Sequence, residues 1–123
     1  MIQGNVSATD EALLDLVVFS RRGQATPIRA VIDTGFTGYL TLPPTLIREL
    51  ELRRAGEVMV ELANGRLVKC LVYRTLVLWD GKKFDIPVDA ADTDPLVGMA
   101  IMKGYDLRMQ VKPGGRVILK SLR

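Results

Sequence analysis

Apolar residues along this chain come in short runs, separated by glycine, proline or clustered charge, and show little of the 3.6-residue spacing of long helices. Strands are predicted over Ile2–Val6, Ala12–Ser20, Pro27–Ile32 and Tyr39–Leu42. Further strands are predicted at Val58–Leu62, Leu67–Tyr73, Thr75–Trp79, Phe84–Val88, Tyr105–Val111 and Arg116–Leu119. Arg21–Gln24 and Lys112–Gly115 read as turns. Asn64-Gly65, between two apolar runs, is a strong hairpin signal, because both residue types accept positive φ. Pro87 places its strand at a sheet edge. Pro44–Leu50 is the clearest helix, with proline in its first turn and Leu46, Ile47 and Leu50 on one face. A second short helix follows Gly98 and closes at Gly104. The pattern predicts an all-β fold, a closed barrel with one or two short helices, and the length of 123 residues makes residues 1–123 one domain.

Within that pattern one stretch concentrates chemistry. Ala30-Val31-Ile32 is a buried strand end, and Asp33-Thr34-Gly35-Phe36-Thr37-Gly38 follows at once. The turn made by Thr34 and Gly35 sets the Asp33 carboxylate at the strand's end, and Gly38 lets the backbone fold back closely. Such a carboxylate, partly desolvated and next to a hydroxyl, is suited to acid–base work. The same residues also make an ordinary turn after a strand.

Composition narrows the chemistry. The chain has no histidine, which excludes Ser-His and Cys-His hydrolases and histidine-ligated metals and leaves carboxylate catalysis. The single cysteine, Cys70, lies in an apolar run and reads as a small core residue; with no disulfide to form, a reducing, cytoplasmic location is expected. Net charge is +3, but the seventeen basic residues are scattered and aromatics make up 6%, so no nucleic-acid stripe is formed. No signal peptide and no membrane-spanning run is read, and no membrane partner is expected.

Asp33-Thr34-Gly35, preceded by Ala-Val-Ile and followed by Phe36-Thr37-Gly38-Tyr39-Leu40-Thr41-Leu42-Pro43, resembles the active-site signature of the retropepsin-like (clan AA) aspartic proteases, in its small prokaryotic single-domain form. Leu96-Val97-Gly98 resembles the second family signature, which packs behind the active-site loop; the apolar Met99 that follows departs from retroviral members. The resemblance covers roughly residues 12–119 and implies an acid-protease barrel. It implies that Asp33, Thr34 and Gly35 are catalytic, that Ala63, Asn64 and Gly65 form the tip of a substrate-binding flap, and that Leu96, Val97 and Gly98 support the active site. The flap carries fewer glycines than retroviral flaps do.

Aspartic proteolysis uses two carboxylates sharing one proton. With one Asp-Thr-Gly in the chain, the resemblance implies a symmetric homodimer, in which Asp33 meets its own copy across a two-fold axis and Thr34 bonds across the interface. The implied substrate is an extended polypeptide, cleaved with an acidic pH optimum and without metal or organic cofactor. Two alternatives stand beside this reading. One is a catalytically silent dimer of the same fold that binds or scaffolds peptides. The other is an unrelated small β-barrel binder whose Asp33 caps a turn.

Overall fold

The computed structural model describes residues 1–123 as ten strands and one helix. In chain order these are β1 (Ile2–Val6), β2 (Ala12–Phe19), β3 (Ala25–Ile32), β4 (Leu40–Leu42), α1 (Pro44–Glu49), β5 (Arg53–Glu61), β6 (Leu67–Trp79), β7 (Lys82–Ala90), β8 (Leu96–Val97), β9 (Tyr105–Met109) and β10 (Arg116–Ser121).

The strands form one sheet in the order β5-β6-β7-β4-β8-β3-β2-β1-β10-β9, and an extra pairing of β6 with β2 turns its middle into a ring. Alternation explains which face each strand buries. Leu14, Leu16 and Val18 of β2 and Ile28, Ala30 and Ile32 of β3 are buried, and the residues between them point away. Asp15 and Arg29, opposite each other on the outer face, pair at 3.0 Å. Inside the ring these side chains meet Leu40, Leu42, Val77, Val88 and Val97, and Ile47 and Leu50 of the α1 segment close one end.

Three elements differ from the sequence expectation. β6 is one continuous strand of 13 residues, not two. Arg74, at the expected break, sits at an outward position and pairs with Asp85 across to β7 at 3.0 Å, so nothing there ends the ladder. β5 begins earlier than expected, because Arg53 and Arg54 join the ladder and a bulge at Arg54/Gly56 absorbs the register change. The second helix is absent: Met99–Gly104 forms successive turns. The amides of Met99 and Ala100 donate to the carbonyls of Phe36 and Gly38, and the bonds that follow, Lys103 to Ala100 (3.5 Å) and Tyr105 to Met102 (3.0 Å), span three residues as in turns. Gly104 still ends this segment in a left-handed conformation, with φ 86°.

Pro87 lies in the sheet interior, between β6 and β4, yet β4 pairs only with Val88–Ala90, so its strand is locally an edge at Pro87. The β6–β7 hairpin turns through Asp80 (φ 51°) and Gly81 (φ 81°), the two left-handed residues of a type I′ turn. The Met1 amino group at 2.6 Å and the Tyr105 hydroxyl at 2.9 Å grip Asp80 and hold its carboxyl below the ordinary range. No helix is long and apolar enough to cross a membrane.

Candidate active site

Asp33 follows directly on β3. Its amide donates to the Val97 carbonyl (2.9 Å), continuing the parallel pairing of Val31 with Leu96 and Ile32 with Val97. The backbone then turns at once, with the Phe36 amide bonded to the Asp33 carbonyl at 3.1 Å. The Gly35 amide donates to Asp33 Oδ1 at 2.9 Å, so one carboxylate oxygen is fixed by the turn and the other is left for chemistry. Asp33 is half-buried, and Thr34 and Gly35 are exposed. The site is therefore an immobilised carboxylate carried at an open surface.

Leu96, Val97 and Gly98 lie behind this loop. β8 is wedged between β3 and β4, and Val97 is fully buried. Gly98 donates to the Tyr39 carbonyl at 3.0 Å and lies so close to the loop that a Cβ there would fall 2.2 Å from the Gly38 oxygen. Three successive amides, those of Gly98, Met99 and Ala100, donate into the loop at Tyr39, Phe36 and Gly38. The loop is thus stapled from behind by backbone bonds alone.

Thr41 had not been singled out in the sequence, although it completes this support. It is buried, and its hydroxyl accepts the Leu96 amide at 3.0 Å. Thr41→Val keeps the shape and removes the acceptor, leaving a buried N–H unsatisfied. The expected cost is about 1–3 kcal/mol of stability, measurable as a lower midpoint in urea with an unchanged slope.

Ala63, Asn64 and Gly65 form the tip of the β5–β6 hairpin, and all three are exposed. Asn64 does not take positive φ; only Gly65 does, at 82°. The Gly65 amide bonds to the Leu62 carbonyl (2.9 Å), and the Leu62 amide to the Arg66 carbonyl (2.8 Å), which makes a turn followed by a glycine bulge instead of the two-residue type I′ turn. Asn64 contributes through its side chain, whose Oδ1 accepts the Arg66 amide at 3.0 Å.

Register assigns the faces of this hairpin. Val58 opposes Cys70, Val60 opposes Val68, and Gly56 opposes Val72, so one face is apolar throughout. Lys69 and Glu57, which pair at 3.2 Å, lie on the other face. The apolar face is not packed away: Val58 is 47% exposed and Val60 37%. Cys70 belongs to this face and is half-buried, not the core residue its surroundings suggested. Its thiol is pushed up by burial first and by the nearby Asp89 carboxylate second, so it stays protonated and unreactive.

The same register extends the face to Asp33. Gly56, Val72, Asp89, Thr41, Leu96 and Val31 oppose one another in a single row across β5, β6, β7, β4, β8 and β3. Asp33 continues that row's face two residues beyond Val31. The apolar underside of the hairpin and the Asp33 loop therefore belong to one surface. No group of three or more Cys, Asp and Glu side chains converges anywhere as a metal site.

No protein-family model matches the sequence, and no curated protein is matched by it. Solved structures do match the fold. The EIAV protease, solved with the inhibitor HBY-793, aligns with a TM-score of 0.61 at 16% identity over 76% of this chain and 86% of that one. A retropepsin-like aspartic protease from Rickettsia conorii aligns with a TM-score of 0.56 at 14% identity, over 99% of this chain and 91% of that one. The foamy viral protease-reverse transcriptase aligns at 0.53 and 20% identity, over 76% of this chain and 12% of that much longer one. At these identities the likeness speaks for architecture, and the architecture is retropepsin-like.

Proposed function

We propose that the chain is an aspartic endopeptidase that works as a symmetric homodimer, with Asp33 of each copy forming the catalytic pair. The observation that carries this reading is the Asp33 loop: one carboxylate oxygen fixed by the Gly35 amide, the backbone held by Val97, and the neighbouring Thr34 and Gly35 left exposed. The likeness to structures described as proteases supports it.

One carboxylate is not enough for peptide hydrolysis at a useful rate. Two at about 3 Å share a single proton, because two negative charges so close cannot both persist. The ionised member takes a proton from water, which attacks the peptide carbonyl; the protonated member donates to the carbonyl oxygen and then assists departure of the amine. A residue near a two-fold axis meets its own copy, so a dimer would supply the second Asp33, and Thr34 would bond across that axis. An extended peptide would lie over the pair and under the hairpins tipped by Ala63, Asn64 and Gly65. Main-chain bonds would hold it, and Val58, Val60 and Val68 would receive its apolar side chains.

Sedimentation velocity at micromolar concentration tests the assembly. A species of twice the chain mass is expected, and a monomer persisting under conditions where peptide is cleaved would remove the paired-carboxylate mechanism. The exposed apolar underside of the hairpin also suits a dimer of this fold that binds peptides without cutting them. Peptide hydrolysis itself separates the two readings.

A further inference from the structure

Asp89 is the one charged side chain in the row that joins the hairpin underside to the Asp33 loop, and it is out of place there. Its neighbours in the row are Val72 and Thr41, and the Cys70 thiol lies beside it, donating to the adjacent Ala90 carbonyl at 3.5 Å. On the other side stands the active-site loop: a Cβ on Gly38 would come 3.5 Å from Asp89 Oδ2. The six ion pairs of the chain use Asp15, Glu51, Glu57, Asp80 and Asp85, and none reaches Asp89. Burial alone pushes its carboxyl above the ordinary range, with no hydrogen bond or cation opposing the shift. A carboxylate half-removed from water without a donor costs stability, and that cost is recovered when a ligand brings the donor.

We propose that Asp89 selects the substrate: its carboxylate receives the charged end of a lysine or arginine side chain of the bound peptide. The proposal rests on the peptide-hydrolase reading above. Position along the peptide follows from sheet spacing. Asp33 ends β3, and β8, β4 and β7 lie one, two and three strands from it, so Asp89 stands on the order of 14 Å from the Asp33 end of the site. An extended peptide rises about 3.3 Å per residue, which places the basic residue about four positions from the scissile bond. The walls beside it, Val72 and Cys70, suit the methylene stem of such a side chain, and the acid suits its tip.

The test uses a pooled library of random decapeptides and the full chain. Products cut by the wild type and by Asp89→Asn are sequenced, and kcat/KM is measured for one cleaved peptide carrying lysine, or norleucine in its place. Lysine and arginine should be enriched near the fourth position from the cut by wild type, and the lysine-to-norleucine ratio of kcat/KM should fall roughly tenfold or more in Asp89→Asn. Identical cleavage profiles and ratios would overturn the proposal.

A second arm does not depend on cleavage. The same library is captured on immobilised Asp33→Asn and on Asp33→Asn/Asp89→Asn. Enrichment of basic peptides on the first and its loss on the second supports the proposal even if no peptide is ever cut, a result that would sink the hydrolase reading alone. Equal capture, or none, overturns the selection. Folding provides the control. For an acid raised in the folded state, the cost of ionisation is absent below its unfolded value and complete above its folded one. Asp89→Asn at pH 7 should therefore melt at or above the wild-type temperature, and a lower Tm would mark Asp89 as structural and overturn the proposal.

Discussion

Asp33→Asn is expected to abolish the proposed peptide hydrolysis, by at least roughly 10⁴-fold in kcat, while Tm and sedimentation stay at their wild-type values. The size follows from the chemistry. In a homodimer the substitution enters both copies, so base and acid vanish together, and each such role contributes about 10²–10⁴-fold. The silence of the fold follows from the bonds. Gly35 donates to Asp33 Oδ1, an oxygen that asparagine keeps, and the bond to Val97 is made by the backbone amide. Neither needs a charge. Initial rates on a cleaved peptide, with Tm and sedimentation on the same preparation, check the three values. A variant that keeps a tenth of the wild-type rate would place the chemistry at another residue. A variant that loses rate and dimer together would show Asp33 acting as a structural cap.

Much of this arrangement was legible in the order of residues. β2 and β3 could be read because short apolar runs bounded by polar turns are a local signal, whereas the buried face could not, since Leu13, Val17 and Val31 between the core positions are apolar as well. The Asp33 loop could be read because a buried strand end followed by Asp-Thr-Gly leaves the chain little choice but to turn. Where reading failed, the deciding interactions were distant in sequence. Met99–Gly104 resembles a short helix, but its start is tied to Phe36 and Gly38, some sixty residues away, and the bonds that follow are those of turns. Arg74 resembles a break only until Asp85, diagonally across on β7, is brought within ion-pair distance. Thr41 lies in the signature stretch without a role of its own there, and Asp89 carries no motif at all. Their meaning comes from register, which sets Thr41 beside Leu96 and Asp89 beside Val72. For Thr41, a polar residue between Leu40 and Leu42 is the only local hint, and it does not say which partner it serves; Asp89, in a strand that also holds Lys82, Lys83 and Asp85, has not even that.

Gly98→Ala should do the reverse of Asp33→Asn: leave every candidate catalytic group in place chemically and destroy their arrangement. The added methyl would lie 2.2 Å from the Gly38 oxygen, 2.8 Å from the Phe36 oxygen and 2.6 Å from Phe36 Cδ2. A ring can rotate away, but the two oxygens are backbone. They are also the acceptors of the Ala100 (3.0 Å) and Met99 (2.8 Å) amides, so the loop cannot retreat without losing the bonds that staple it. Overpacking of this kind costs about 1–3 kcal/mol, and two stretched backbone bonds add about 1 kcal/mol each. The sum is a large part of the 5–15 kcal/mol that holds a domain together, and it should lower Tm on the order of 10 °C or more. Activity should fall further than stability, since a displacement near 1 Å at the reacting groups costs about 10²-fold by itself. Gly65→Ala is the contrast. Its φ of 82° makes alanine strained, yet nothing lies within 4 Å of the new methyl. The expected loss there is about 1–2 kcal/mol, confined to the hairpin tip. If thermal melts showed the two alanines to be equally costly, the close approach at Gly98 would be carrying no load, and the Asp33 loop would have to be held by β3 and β4 alone.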